Sequence, residues 1–216
     1  MNRFKTLMTF FLVILFFSCE EEKKDKSGLP FIGQHDVVYE ATENHEVGDT
    51  IFHKVPGFKY LTQDSTWLSS KDIDDKVWIA KFFFTHCPTI CPPMTSAMKE
   101  VTKELSSSSD EIIFLSFSID PDRDTPKRLR TYINRHEINA KNWYFLTGDE
   151  AKTHELGVKG FNILAQADKE APGGFAHSPN FVLVDSDQHI RGIYDGLNPD
   201  ERKRLIKDVN KLLEHE

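Results

Sequence analysis

The chain has 216 residues with 34 acidic and 27 basic side chains, which give a formal net charge of −7 at pH 7. This acidic balance argues against nucleic acid as a partner, because proteins that bind phosphate backbones carry an excess of Lys and Arg. The length is sufficient for one domain with a hydrophobic core, to which the 17 Phe residues contribute much of the apolar volume.

The N-terminus has the pattern of a secretion signal. Arg3 and Lys5 precede an apolar run at residues 7–17. The run is shorter than the about 20 residues that a membrane-spanning helix needs, so residues 1–18 are interpreted as a signal peptide and not as part of the fold. The pattern resembles a bacterial lipoprotein signal, in which Cys19 is the lipidated first residue. A simple cleaved signal and an uncleaved anchor stay open as alternatives.

This interpretation predicts where the protein works and how its chain is divided. Residues 19–47 would form a lipid-anchored linker and N-terminal extension ahead of a domain at residues 48–216. The protein is expected in the bacterial cell envelope, lipid-anchored to a membrane and facing the periplasm. If lipid occupies Cys19, the remaining cysteines are one pair, Cys87 and Cys91. In an oxidising compartment such a pair closes to a disulfide unless a metal or a reductant keeps it open.

The cysteine pair lies where a predicted strand meets a predicted helix. Residues 77–84 form an apolar stretch broken only by Lys81, which is typical of a central strand buried on both faces. Pro92 follows the pair and suits the first turn of a helix, where a missing N–H costs nothing. The helix dipole and the free N–H groups at this end favour a thiolate. Thiolates bind soft metals and attack disulfides.

A purely structural disulfide is the main alternative for this pair. On a regular helix, Cβ atoms four residues apart are about 5–6 Å from each other, whereas a disulfide needs about 3.5–4.5 Å. Because Cys87 is expected outside the helix, the bond can still form, but as one that opens and closes. The spacing therefore favours a reactive pair.

The rest of the chain alternates between strands and helices. Strands are predicted at 111–119 and 144–146 and helices at 126–136 and 150–158. A hairpin follows, with strands at 181–185 and 189–194, and then a closing helix that has Asn198 as its N-cap and Pro199 at its first position. This order predicts an α/β domain of the thioredoxin-like fold, with a central mixed sheet flanked by helices and a C-terminal β-hairpin and helix.

Three motifs in this order resemble the Sco/SenC family. They are FTHCPTICP at residues 84–92, SIDPDRDTP at residues 118–126 and a late histidine, His177, before a strand. The similarity extends over residues 48–213. The resemblance implies a membrane-anchored protein that binds copper through Cys87, Cys91 and His177 and that helps to assemble the binuclear copper centre of cytochrome c oxidase. It implies as partners the copper-bearing subunit of the oxidase, and another copper carrier or a thiol reductant.

The chemistry of the three residues agrees with this implication. Two thiolates and one imidazole form a soft three-coordinate set that suits Cu(I), with binding of Cu(II) left open, whereas zinc normally takes a fourth ligand. His177 follows the glycine-rich residues 172–176, and a ligand on such a loop can move without disturbing the core. Taken alone, His177 would be an ordinary histidine, and its place in the motif is what marks it as a ligand.

Three further residues are predicted to lie near the site without binding the metal. His86 would modulate Cys87 or pack against a neighbouring loop. Asp120 would tune the site or offer a charge to a partner, although turn formation and helix capping also account for its acidic run. Pro179 occupies the place of the cis-proline of redox-active thioredoxin-fold proteins, so a cis bond is expected there. Ala176 stands where many Sco/SenC proteins have Asp, which removes a support for the histidine or a contact with a partner.

A second function remains open at this stage. Cys87 and Cys91 alone would suffice for a thiol-disulfide reductase that acts on the copper-site cysteines of the oxidase or on other extracytoplasmic dithiols. The two functions differ in their need for His177, because only a copper carrier requires the imidazole. Whether the protein is an enzyme is therefore left undecided, with a metallochaperone favoured.

Overall fold

The computed structural model describes residues 26–215, so Cys19 and the signal sequence lie outside it. Eleven short strands and four helices follow one another within these residues. The strands are β1 (Asp36–Val37), β2 (Thr50–Ile51), β3 (Lys59–Thr62), β4 (Trp67–Ser69), β5 (Val77–Phe83), β6 (Ile112–Ser118), β7 (Trp143–Thr147), β8 (Ala165–Ala167), β9 (Phe175–His177), β10 (Asn180–Val184) and β11 (Ile190–Asp195). The helices are α1 (Cys91–Glu104), α2 (Pro126–Arg135), α3 (Glu150–Glu155) and α4 (Pro199–Leu213).

The main sheet has seven strands in the order β11-β10-β5-β6-β7-β3-β4. Strand β5 lies near its centre, parallel to β6 and antiparallel to β10, with Ala80 opposite Leu115 on one side and Val182 on the other. All seven residues of β5 are buried, which explains why its sequence is apolar on both faces. The predicted mixed sheet, flanking helices and C-terminal hairpin of a thioredoxin-like fold are confirmed.

Alternate residues of β5 divide the core into two layers. Phe82 stacks on Phe117 and contacts the edge of Phe161, within a cluster of aromatic rings on one face of the sheet. Phe83 points to the other face and contacts Tyr132 of α2 and Phe145 of β7. Because side chains alternate along a strand, the Phe83 layer also contains Lys81, which reaches α1 in the same layer.

The helices begin where the sequence places their caps. The Asn198 side chain accepts a hydrogen bond from the backbone of Asp200 at 2.9 Å, and Pro199 opens α4. Thr125 caps α2 by accepting from the backbone of Arg128 at 3.4 Å. Helix α1 begins at Cys91 and contains Pro at its first turn. Each cap satisfies backbone N–H groups that have no partner inside the helix.

Two parts of the fold differ from the sequence-based expectation. The helix predicted for residues 150–158 ends at Glu155 and continues as a wider π-helical turn, Leu156–Gly160. This turn brings Gly157 so close to Ala165 that a Cβ on Gly157 would lie 2.6 Å from the Ala165 Cβ. The short strands β1–β4, β8 and β9 were not predicted, because two to four residues are too few to show a period.

A buried ion pair attaches part of the predicted linker to the domain. Arg191 of β11 donates to the Asp185 carboxylate at 2.9 Å, to the Leu29 carbonyl at 2.7 Å and to the Pro30 carbonyl at 3.1 Å. Ile32 also forms an antiparallel bridge to Ile190 at the edge of the sheet. The chain is therefore held against the domain from Leu29 onward. Across residues 26–215, the helices are all too short or too polar to cross a membrane.

Replacement of Asp185 with Ala is expected to destabilise the fold by about 3–5 kcal/mol, because it removes one partner of the buried Asp185–Arg191 ion pair. The midpoint of urea unfolding of the purified chain measures the effect. Glu155→Ala is the matched control, since it breaks the exposed Glu155–Lys159 pair and should change the midpoint far less. Equal effects of the two substitutions would contradict the anchoring role of Arg191.

Candidate metal centre

The two thiols of the site are positioned by the end of β5 and the start of α1. The chain turns after the strand, and the backbone N–H of Cys87 donates to the Phe84 carbonyl at 3.3 Å. Cys91 is the first residue of α1 and is fully buried, whereas Cys87 keeps 7% of its surface exposed. Cys91 is therefore the inner member of the pair and Cys87 the outer member.

His177 reaches the thiols from a separate hairpin. It is the last residue of β9, where it pairs with Ala165 of β8, and a glycine turn precedes the strand. Gly173 has a φ of 83°, and a Cβ there would lie 2.7 Å from the Phe84 ring. A glycine at this position thus allows the loop to pass directly over the wall of the site.

The three side chains converge on one point. The ligand atoms of Cys87, Cys91 and His177 all lie within 4.8 Å of one another, and His177 Nε2 is 3.2 Å from Cys91 Sγ. His177 Nδ1 lies 3.2 Å from the Ser178 carbonyl oxygen. A proton on Nδ1 donates to this carbonyl and leaves the lone pair of Nε2 directed at the thiols, which is the tautomer that a metal-binding histidine needs.

Aromatic side chains enclose the site on one side. Phe84 is fully buried, and its ring lies 5.3 Å from the Phe175 ring and 5.8 Å from the His177 ring, measured between centroids. Such walls exclude water and lower the local dielectric constant. Electrostatic interactions among the thiols are strengthened in this environment.

The two thiols have opposite pKa shifts. The Cys91 thiol donates a hydrogen bond to the Cys87 sulfur, and this interaction lowers the pKa of Cys87 far below that of an ordinary thiol. The backbone N–H groups of Thr89 and Cys91 lower it further. Burial raises the pKa of Cys91, as does the negative charge of Cys87. Cys87 is therefore the thiolate at neutral pH and Cys91 is its hydrogen-bond donor.

His86 and Asp120 lie together beside the cysteine turn. The His86 ring packs on Phe84 with the centroids 4.9 Å apart, and its Nε2 accepts a hydrogen bond from Arg123 Nη1 at 3.1 Å. Its Nδ1 is 3.3 Å from the Asp120 carboxylate, although the two are not aligned for a hydrogen bond. Asp120 is buried and accepts from the same Arg123 nitrogen at 2.9 Å. The structure places both residues next to the site and outside the three-donor group.

Asp124 has a structural role that the sequence analysis missed. The acidic run that contains Asp124 is expected to form a turn and to cap a helix. Asp124 is instead fully buried and accepts hydrogen bonds from the Thr85 backbone at 3.0 Å and from the Ser118 hydroxyl at 2.6 Å. Burial raises its pKa, against these hydrogen bonds. Asp124 thereby fastens the turn that carries Cys87 to the end of β6. Because Asp124 follows Asp122 and stands just before a helix, the sequence alone favours a turn or capping role.

Lys81 is a second residue whose role was missed. In the sequence, Lys81 interrupts an apolar strand, but its ammonium group lies inside the core and donates to the Thr95 hydroxyl at 2.8 Å. Thr95 follows Cys91 by one helical turn on the same face of α1. Burial lowers the pKa of Lys81 to about 7, against the influence of Cys91, which raises it.

The prediction of a cis bond before Pro179 is wrong. Within residues 26–215 all peptide bonds are trans. The chain passes directly from β9 into β10 here, and the Pro179 carbonyl accepts a hydrogen bond from the Gly196 backbone at 2.9 Å. This extended connection is compatible with the trans form that X–Pro bonds prefer by about 0.5–1 kcal/mol. Ala176 pairs with Gln166 within the same hairpin.

The fold and site together define a thioredoxin-like protein in which two cysteines at a helix start face a histidine on a hairpin. The SCO1/SenC family model matches residues 48–214, so the chain belongs to the SCO1/SenC family. It is 31% identical to the SCO1 protein homolog of Bacillus subtilis (strain 168) over 170 residues, which cover 78% of this chain and 88% of the relative.

Solved structures of the family share this architecture. A SCO1/SenC family lipoprotein from Bacillus anthracis is 31% identical, with a TM-score of 0.69 over 74% of this chain and 95% of that one. BsSco is also 31% identical, with a TM-score of 0.66 over 74% and 93% of the two chains. BsSco is described as a member of the Sco family of cytochrome c oxidase assembly proteins that contains a disulfide switch.

The pKa of Cys87 gives a prediction for thiol alkylation. Iodoacetamide should react with Cys87 at a nearly constant rate from pH 5 to pH 8, because a thiol with a depressed pKa is already a thiolate throughout this range. In Cys91→Ala the main hydrogen-bond donor is lost, the pKa of Cys87 rises, and the rate should fall as the pH is lowered. Cys91→Ser keeps a donor and should behave more like the wild type. Identical pH profiles for all three proteins would contradict this assignment.

Proposed function

We propose that this protein is a copper chaperone outside the cytoplasm, which binds Cu(I) through Cys87, Cys91 and His177. It delivers the metal for assembly of the copper centre of cytochrome c oxidase. The observation that carries this proposal is the convergence of two thiols and one imidazole nitrogen within 4.8 Å. Two sulfur donors and one nitrogen donor suit Cu(I) better than harder ions. In the part of the chain that the structure describes, no fourth His, Cys, Asp or Glu joins the group, as a zinc site would require.

The arrangement of the donors suits a carrier that must also release its cargo. Cys91 is fully buried at the start of α1, whereas Cys87 and His177 are slightly less buried, with 7% and 8% of their surface exposed. An acceptor's ligands can therefore approach from the side of Cys87 and His177, and Cys91 is the last donor to separate from the metal. The glycine turn before β9 allows His177 to move without a change in the sheet.

The partner and the anchor are proposed from the relatives. BsSco is described as an oxidase assembly protein, which supports the copper-bearing subunit of the oxidase as the acceptor. Another copper carrier or a thiol reductant is proposed to act before it. The B. anthracis relative is a lipoprotein, which supports Cys19 as a lipid attachment site and a periplasm-facing location on a membrane of the bacterial envelope. Binding of Cu(II) at the same residues belongs to the proposal as a second form of the cargo.

A thiol-disulfide reductase is the second candidate function. The depressed pKa of Cys87 favours it, since a stable thiolate next to a buried thiol is the arrangement that attacks disulfides. Such an enzyme would act on the copper-site cysteines of the oxidase or on other extracytoplasmic dithiols. His177 separates the two candidates because disulfide exchange requires only the thiols.

Titration of the reduced, purified chain with Cu(I) against a competing chelator tests the proposal. The wild type should bind one Cu(I) tightly, Cys87→Ser and Cys91→Ser should lose tight binding, and His177→Ala should bind at least about tenfold more weakly, which corresponds to about 1.4 kcal/mol. His154→Ala is the matched control, because the His154 ring also lies near Phe175 but outside the donor group.

The outcome also decides between the two candidates. Weak copper binding that does not depend on His177, together with thiol-disulfide exchange that requires Cys87 and Cys91, would reject the carrier and leave the reductase. Copper affinity that survives the loss of either thiol would contradict the ligand assignment itself.

A further inference from the structure

Lys81 is the one charged residue of β5, and its side chain is completely buried. A buried lysine is rare because removal of an ammonium group from water costs several kcal/mol unless the protein compensates it. An apolar residue of similar length would fill the same space at no electrostatic cost. The buried ammonium group is therefore expected to serve the neighbouring cysteine site.

Several groups around the Lys81 nitrogen stabilise a cation, against the burial that lowers the pKa of Lys81 to about 7. Nζ donates to Thr95 Oγ1 at 2.8 Å, and the same oxygen lies 2.8 Å from the Tyr132 hydroxyl. The rings of Phe83 and Trp143 face Nζ with their centroids at 5.6 and 5.3 Å, which is within the range of cation–π attraction. Over residues 26–215, no carboxylate approaches Nζ to within 4.0 Å. Any negative charge that balances the ammonium must come from a longer distance.

The cysteine pair is the source of that charge. Thr95 and Cys91 are four residues apart on α1, so their Cβ atoms are about 5–6 Å from each other, and Lys81 is bound to Thr95. Lys81 and Cys91 act on each other electrostatically. The low dielectric of a buried layer extends the range of this interaction. Lys81 thus contacts α1 one helical turn from the residue that carries the inner sulfur.

We propose that Lys81 selects the oxidation state of the site, by stabilising the reduced, anionic forms of the cysteine pair over the oxidised, neutral forms. For copper, this inference rests on the proposed function. Two thiolates with Cu(I) carry a net charge of −1, and the same ligands with Cu(II) carry none. The ammonium group attracts the first and not the second, so it raises the affinity for Cu(I) relative to that for Cu(II).

The same charge acts on the cysteine pair without copper. A disulfide between Cys87 and Cys91 is neutral, whereas the open pair carries the Cys87 thiolate. Reduction by glutathione consumes two glutathione thiols and breaks the protein disulfide. It yields one glutathione disulfide, the open pair as one thiol and one thiolate, and one proton released to solvent, so that two electrons pass to the protein. Lys81 stabilises the product of this reaction and keeps the pair open to receive Cu(I).

The test compares Lys81→Met with wild type in the full, purified chain. The first readout is copper-free and measures the dithiol-to-disulfide ratio in glutathione buffers. The second is the ratio of the Cu(I) and Cu(II) affinities, each measured by chelator competition. Lys81→Met should shift the first equilibrium toward the disulfide, and the second toward Cu(II), by at least about tenfold each. For the one-electron copper couple a tenfold change is about 59 mV.

Two control variants separate charge at this position from other effects. Lys103→Met removes the same charge from an exposed position on α1 and should leave both ratios unchanged. Thr95→Ser removes one methyl group from the same buried layer but keeps the hydroxyl that accepts from Lys81, and it should retain most of the wild-type preference. Shifts below about twofold in Lys81→Met, or equal shifts in either control, would overturn the proposal. If the wild type takes up no copper, the proposed function fails, while the glutathione equilibrium still tests Lys81.

Discussion

Burial of β5 on both of its faces is the constraint on which the rest of the structure depends. Because the strand lies between β6 and β10 and beneath α1, its carboxyl end has little freedom, and the turn that follows delivers Cys87 and Cys91 to a fixed place. The hairpin β8–β9 approaches the same place from another part of the chain and adds His177. The sheet therefore fixes the two sulfurs, whereas the imidazole of His177 lies on a hairpin strand that follows a glycine turn.

Polar groups buried under the site have separate tasks. Asp124 receives hydrogen bonds from Thr85 and Ser118 and holds the cysteine turn in place. Lys81 supplies positive charge to the layer beneath Cys91. His86 and Arg123 form the outer edge, together with the Asp120 carboxylate. Burial of Lys81, Asp120 and Asp124 within one small region costs folding free energy. Such groups are typically retained where their charge serves function.

Much of the fold could be predicted from the sequence because its elements are long or have clear ends. The apolar run of β5, the proline-opened helices and the capped α4 each show an unambiguous local pattern. Strands of two to four residues show no such pattern. The π-helical turn after α3 depends on the contact between Gly157 and Ala165, which are close in space but separated along the chain, so a local pattern cannot show it.

The candidate site could be predicted in part. Cys87 and Cys91 are four positions apart in the sequence and the motif identified His177, and the fold brings these three expected residues together. Lys81 and Asp124 could not be recognised, because their partners Thr95 and Thr85 come from other elements and only the folded chain shows the contacts. The Pro179 expectation was wrong because it was transferred from the general fold, whereas the hairpin of this chain continues directly into β10.

X-ray absorption spectroscopy of the Cu(I)-loaded chain tests the central claim most directly, since it counts the donor atoms around the metal. The account predicts a three-coordinate Cu(I) with two sulfur neighbours and one nitrogen neighbour, and a spectrum from which the nitrogen is lost in His177→Ala. A first shell with sulfur alone in the wild type, or one that is unchanged by loss of His177, would contradict it.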